Sequence, residues 1–115
     1  MAARANLRID RGATFSSDVT VTDTDGSAFD LTGYTAQAKM AKGYDAVNTR
    51  VTLTTEIAND ATTGVITLSL TADQTKDLDA PARYVYDVEI TKTSDSTITR
   101  VIEGIITINP DVSTD

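Results

Sequence analysis

The stretch RYVYDVEI, residues 83–90, alternates: Tyr84, Tyr86, Val88 and Ile90 take every second position, with Val85, Asp87 and Glu89 between them. A period of two belongs to a β-strand, whose successive side chains leave opposite faces. The stretch therefore reads as the two faces of one strand, one apolar for a core and one polar for solvent. It also holds two carboxylates and two phenols within eight residues, enough for acid–base chemistry. Its reading thus decides both the fold and the class of function.

The same period extends in both directions. In ATFSSDVTVT, Phe15, Val19 and Val21 share one face and Asp18, Thr20 and Thr22 the other. Asp23–Gly26 (DTDG) is a turn with glycine at its end, where a positive φ costs little. YTAQAKM sets Tyr34, Ala36, Ala38 and Met40 in one phase, with Gln37 and Lys39 in the other. RVTLTTEI points Val51, Leu53 and Ile57 inward and Thr52, Thr54 and Glu56 outward. After the turn cluster NDATTG, VITLSL supplies Ile66, Leu68 and Leu70.

One segment breaks the period. TADQTKDL has Thr71 three residues before Gln74, the spacing of a capping box, and predicts a short helical turn near residues 71–78 with Leu78 turned to the core and Pro81 ending it. Thr93–Ser96 (TSDS) turns into the last strand, TITRVIEGIITI. There Ile98, Ile102, Ile106 and Ile108 share a phase, and Gly104 marks a bend or bulge. Val101 and Ile105 make its other face apolar too, which calls for a cover over the outside, either the N-terminal arm or a partner protein. The sum is an all-β chain: a seven-stranded antiparallel immunoglobulin-like β-sandwich, with a small open barrel as the runner-up. Residues 1–12 read as an N-terminal arm, 13–110 as the sandwich domain and 111–115 as a C-terminal tail closed off by Pro110.

The totals narrow the chemistry. A chain of 115 residues forms one domain able to bury a core. It has no cysteine and no histidine, so disulfides, thiolate zinc sites, imidazole metal ligands and every Ser-His or Cys-His nucleophile are excluded. Carboxylates, lysine and tyrosine are all that an enzyme could use, and the expectation is no enzyme and no cofactor. The formal charge of −7 argues against nucleic acid. Residues 1–12 nevertheless carry +2 through Arg4, Arg8 and Arg11 against Asp10, and the other 103 residues carry −9. These arginines are either plainly solvated or an arm that docks on an acidic neighbour, a copy of the chain included. The opening MAARANLRID has no apolar signal region and no run is long enough to span a membrane, which predicts a soluble protein without membrane contact. Threonine, at 21 residues, is over-used, as suits the solvent face of strands.

Each candidate site has a plainer reading beside it. Asp87 and Glu89 project from one face of a strand about 6–7 Å apart, and acid–base work would need their environments to differ. Cross-strand pairing with Lys39, Arg50 or Arg100 explains them better. Asp23, Asp25 and Asp30 start like a calcium loop, but glycine stands fourth instead of sixth and Tyr34 stands where a bidentate glutamate belongs, so they read as turn formers. The stretch Lys39–Arg50 (KMAKGYDAVNTR), with Lys42, Tyr44 and Arg50, is a basic loop and the first place to look for a partner contact. The candidate partner-contacting residues are therefore Arg4, Arg8, Arg11, Lys42, Tyr44 and Arg50. There is no catalytic, cofactor or metal set and no phosphate-binding glycine loop.

Five elements in order, RGATF (11–15), DLTGYT (30–35), LSLTADQT (68–75), RYVYDVEIT (83–91) and TRVIEGIITINP (99–110), span nearly the whole chain. Together they resemble a group of small virion proteins of tailed bacteriophages, including phages of marine cyanobacteria. The resemblance implies a non-enzymatic structural or accessory subunit. Such a subunit is assembled in the host cytoplasm and docks on tail, baseplate or capsid proteins or on its own copies. It carries no catalytic residues over. The reading from a different class is a carbohydrate- or receptor-binding β-sandwich module, for which four tyrosines and no tryptophan are a thin supply of stacking surfaces.

Overall fold

The structure, a computed structural model, describes residues 3–23, 25–43, 50–78 and 82–110. Pro81, Tyr44 and the tail 111–115 lie outside them. The strands are β1 (Ala3–Arg4), β2 (Leu7–Asp10), β3 (Phe15–Thr20), β4 (Tyr34–Ala41), β5 (Val51–Ile57), β6 (Val65–Leu70), β7 (Ala82–Lys92) and β8 (Ile98–Asn109). One α-helix, α1 (Ala72–Lys76), and a 3-10 turn (Ala61–Thr63) complete the elements among the described residues. The protein is all-β, as the period of two predicts.

The strands form one path, β1–β8–β7–β4–β5–β6–β3, with β2 also on β8. The expectation of seven antiparallel strands needs correcting on three points: the described residues form eight, the sheet is mixed, and it is a single curled sheet. Strand β5 carries it around the corner. Val51–Leu53 pair with β4, and Thr54–Ile57 pair with β6. The curl encloses the core, in which Ile9, Ile66, Leu68, Val88, Ile106 and Ile108 are fully buried. Tyr84 and Tyr86 lie there with Val88 and Ile90, so the apolar phase of RYVYDVEI is the inner face.

The mixed character comes from residues 3–10. They run parallel to β8 in unbroken register, Ala3 opposite Ile102 through Asp10 opposite Asn109. Ala3, Ala5, Leu7 and Ile9 alternate with Arg4, Asn6, Arg8 and Asp10, and Ile9 is 0 % exposed. Burying such a side chain contributes about 2 kcal/mol. The segment joins the edge of β8 and does not cover its outer face.

The gap between β1 and β2 has a cause. In a regular parallel ladder the amide of Ile105 would donate to the Ala5 carbonyl. That carbonyl instead accepts the Tyr86 hydroxyl at 2.6 Å, and the Ile105 amide donates to Asn6 Oδ1 at 3.1 Å. A side-chain oxygen replaces the missing backbone acceptor. Gly104 sits under the turned carbonyl, where a Cβ would lie 2.0 Å from the Ala5 oxygen. Gly104 pairs regularly with Tyr86, so it marks a close approach and not the expected bend or bulge.

The bulge falls three residues earlier. Val88 pairs with Ile102 but Glu89 with Arg100, leaving Val101 as the extra residue. One extra residue reverses the phase on its N-terminal side. Val101 turns inward and Arg100 faces out with Asp87. Ile98, expected in phase with Ile102, is 60 % exposed.

The helical turn forms as its capping box predicts. Thr71 Oγ1 accepts the Gln74 amide at 3.2 Å, and Gln74 Oε1 accepts the Thr71 amide at 2.8 Å. Leu78 is buried. Buried Thr75 takes the Gly12 amide and donates to the Ala13 carbonyl, which ties α1 to the turn between β2 and β3.

Candidate functional site

On the outer face of β4, β7 and β8 the polar phases line up. Asp87 lies opposite Lys39 on one side and Glu103 on the other. The bulge at Val101 brings Arg100 across, its Nε 3.3 Å from Asp87 Oδ2 and its Nη1 3.8 Å from Glu103 Oε1. Arg4 of β1 meets Glu103 at 3.6 Å. Gln37 Nε2 donates to Glu89 Oε1 at 2.9 Å. The result is a ladder of alternating charge crossing the strands, Arg4–Glu103–Arg100–Asp87, with Lys39 beyond it.

A shallow groove of ≈ 300 Å³ opens on this face, and its polar lining includes Gln37, Lys39, Arg50, Asp87, Glu89 and Arg100. Burial pushes the Asp87 carboxyl above its ordinary value; Arg100 opposes this, Glu89 reinforces it, Arg50 opposes and Glu103 reinforces. The cross-strand pairs expected for Asp87 are therefore present with Arg100. Each such pair is worth a few tenths to about 1 kcal/mol. The carboxylates do not converge on an enclosed cavity. They form a row of paired, part-exposed charges.

The turn aspartates behave alike. Asp25 accepts the Ser27 amide at 3.0 Å, Asp30 the Thr32 amide at 2.9 Å, Asp60 the Thr62 amide at 3.2 Å and Asp95 the Thr97 amide at 3.0 Å. All are Asp-x-Ser/Thr Asx turns. Hydrogen bonds from Ser27, Thr32 and Thr97 hold Asp25, Asp30 and Asp95 below the ordinary carboxylate value. These oxygens are committed to their own backbone. Among the described residues no group of three acids could hold a metal ion.

Of the six candidate contact residues, Arg4 and Arg8 lie on the outer phase of the β1–β2 edge, and Arg50 lines the groove on the same side of the sheet. Arg11 is turned away, its Nε donating to the Leu78 carbonyl at 3.0 Å beside α1. Lys42 is exposed just past β4, and Tyr44 lies outside the described residues. Missing from the candidates were Asn6, Tyr86 and Gly104, which seat residues 3–10 on β8. The alternation Ala3–Asp10 was the available signal, and the three arginines drew the reading toward a solvated arm.

No helix of the described residues is long and apolar enough to cross a membrane. No protein-family model matches the chain, and no curated protein is similar to it.

Proposed function

We propose that the chain is a non-enzymatic structural or accessory subunit of a tailed bacteriophage particle, held on tail, baseplate or capsid proteins by protein–protein contacts. The observation that carries the reading is the ordered set of five sequence elements between Arg11 and Pro110. The side-chain chemistry agrees with it. The acids that might have reacted are paired across strands or bonded to turn amides, and Tyr84 and Tyr86 are core residues.

We also read the curled sheet as an immunoglobulin-like sandwich. Support comes from the strand order, in which the first strand runs parallel to the last and β8–β7–β4 continue through a strand shared by two layers into β6 and β3. A short helix precedes β7, and Tyr84 stands near the start of that strand, two residues ahead of Tyr86, as at the corner of such domains. The test is mass spectrometry of gradient-purified particles from the source phage. The subunit is expected at a fixed ratio to a major head or tail protein. Its presence in infected cells but absence from particles overturns the proposal.

A further inference from the structure

The curl leaves two open strand edges. The path begins at β1–β2 and ends at β3, and neither has a further strand beside it among the described residues. The edges meet at one corner, where the Ala13 amide donates to the Asp10 carbonyl at 3.1 Å to close the turn from β2 toward β3. They therefore flank the same mouth of the sheet. Strand direction alternates along the antiparallel path from β8 to β3, while β2 runs with β8, so β2 and β3 are antiparallel to each other.

Both edges present the same phase. The Ala5 and Arg11 amides donate to Glu103 and Asn109 of β8, so odd residues face β8 and the backbone groups of Arg4, Asn6 and Arg8 face outward. On the other edge the Val21 amide donates to Gly64, so the odd residues of that strand face β6 and those of Ser16, Asp18 and Thr20 face outward. These even residues also carry the outer-face side chains. Arg8 is exposed and forms no ion pair among the described residues. Asp18 is exposed and, among the described residues, accepts only the Thr67 hydroxyl. The first edge carries Arg4 and Arg8 against Asp10, which accepts from the Asn109 side chain at 3.0 Å, and is net positive; the second carries Asp18 alone and is net negative.

We propose that this mouth binds a second copy of the chain, each copy laying its β1–β2 edge antiparallel against the partner's β3 edge, twice over, about a two-fold axis along the strands. An axis across the strands would set basic edge on basic edge and acidic on acidic. The axis along them sets each basic edge on an acidic one and keeps the strands antiparallel. Even residues of both edges then meet as a hydrogen-bonded ladder with their side chains on one face, and Arg8 can stand opposite Asp18. Charge on an open edge discourages indiscriminate pairing. Opposite signs on two edges leave the crossed arrangement as the permitted one, a closed isologous dimer built by strand addition. The inference does not rest on the virion reading.

Sedimentation equilibrium of the full chain, at concentrations up to about 1 mM, the weak end of specific association, tests it. The unaltered protein is expected to form a two-copy species. Arg8→Glu alone and Asp18→Lys alone are expected to be monomers, although the second lowers the net negative charge. An equimolar mixture of the two, and a single chain carrying both reversals, are expected to regain the dimer, which also shows that each reversal folds. An unaltered protein that stays monomeric overturns the proposal, as do species larger than two copies, single variants that dimerise unchanged, or failure of both the mixture and the doubly reversed chain to associate.

Discussion

The two outer faces of the curled sheet are built from the same strand chemistry but dressed in opposite ways. Over β4, β7, β8 and the N-terminal strands, cations and acids interleave, and Asp87 and Glu103 each have an arginine within 4 Å. Over β3, β6 and the second half of β5, the outward residues are hydroxyls such as Ser16, Thr67 and Ser69, with Asp18 and Glu56 flanking Thr67 in register. Residues 13–33 and 54–78 contain one base, Lys76, against acids from Asp18 to Asp77. The formal charge of −7 is thus concentrated in these two segments. The N-terminal segment adds Arg4 to the paired charges by way of Glu103, while Asp18, where the sheet ends at β3, has no ion pair among the described residues. Composition alone, which averages the two sides, hides this.

The largest effect expected is the loss of that pairing by displacing the N-terminal segment. In Gly104→Ala the new Cβ would lie 2.0 Å from the Ala5 oxygen and 2.8 Å from its carbon. Backbone must move, so residues 3–10 lift from β8, uncovering Ile9. We expect a loss of about 3 kcal/mol or more in denaturant unfolding and faster tryptic cleavage at Arg4 and Arg8. Gly64→Ala is the counterpart on the acidic side. It combines a φ of +71° with a Cβ 2.5 Å from the Val21 oxygen. It should destabilise as severely while leaving cleavage at Arg4 and Arg8 no faster than global unfolding allows.

A smaller effect should follow from Tyr86→Phe, which leaves the Ala5 carbonyl without its donor at an unchanged volume. The expected loss is about 1–2 kcal/mol at neutral pH. Burial pushes the Tyr86 hydroxyl up to about 12, against an ordinary value near 10. The folded protein holds that proton more tightly than the unfolded chain, so the associated stability is complete below pH 10 and is lost as pH rises toward 12. Unfolding curves across that window should show the parent losing stability with pH and the variant losing less.

Much of the fold was legible because alternation is a local signal. Phe15, Val19, Leu53, Leu68 and Tyr86 are buried where their phase puts them, and Thr71–Gln74 capped the helical turn they announced. What escaped the sequence was every feature set by a non-local contact. Val101 looks like any outward valine until its pairing with β7 slips by one residue, and with it Ile98 and Arg100 change faces. Gly104 reads as a bend because nothing near it in sequence reveals that Ala5 lies above it. The charge ladder was legible in kind, since Arg100 was among the partners expected for Asp87, but not in extent. Its links to Glu103 and Arg4 depend on the bulge and on the parallel seating of β1.

The smallest expected effect separates the two sides through pH. Asp87 is partly buried with a raised proton affinity, so its stability contribution is complete below the ordinary carboxylate value and is lost as pH rises through the raised one. Asp30, in its Asx turn, is the reverse: its contribution is present above the ordinary value and lost as pH falls through the lowered one. Asparagine keeps an acceptor oxygen in either place but does not titrate. Asp87→Asn should therefore change stability at pH 7 by no more than about 0.5 kcal/mol and should lose more than the parent on acidification, because the compensating proton uptake is gone. Asp30→Asn should keep its turn and lose less than the parent over the same range. Urea unfolding between pH 7 and pH 3 distinguishes them. If both variants shift the acid limb in the same direction, the paired face and the turn aspartates are not electrostatically distinct, and the contrast between the two sides reduces to one of composition.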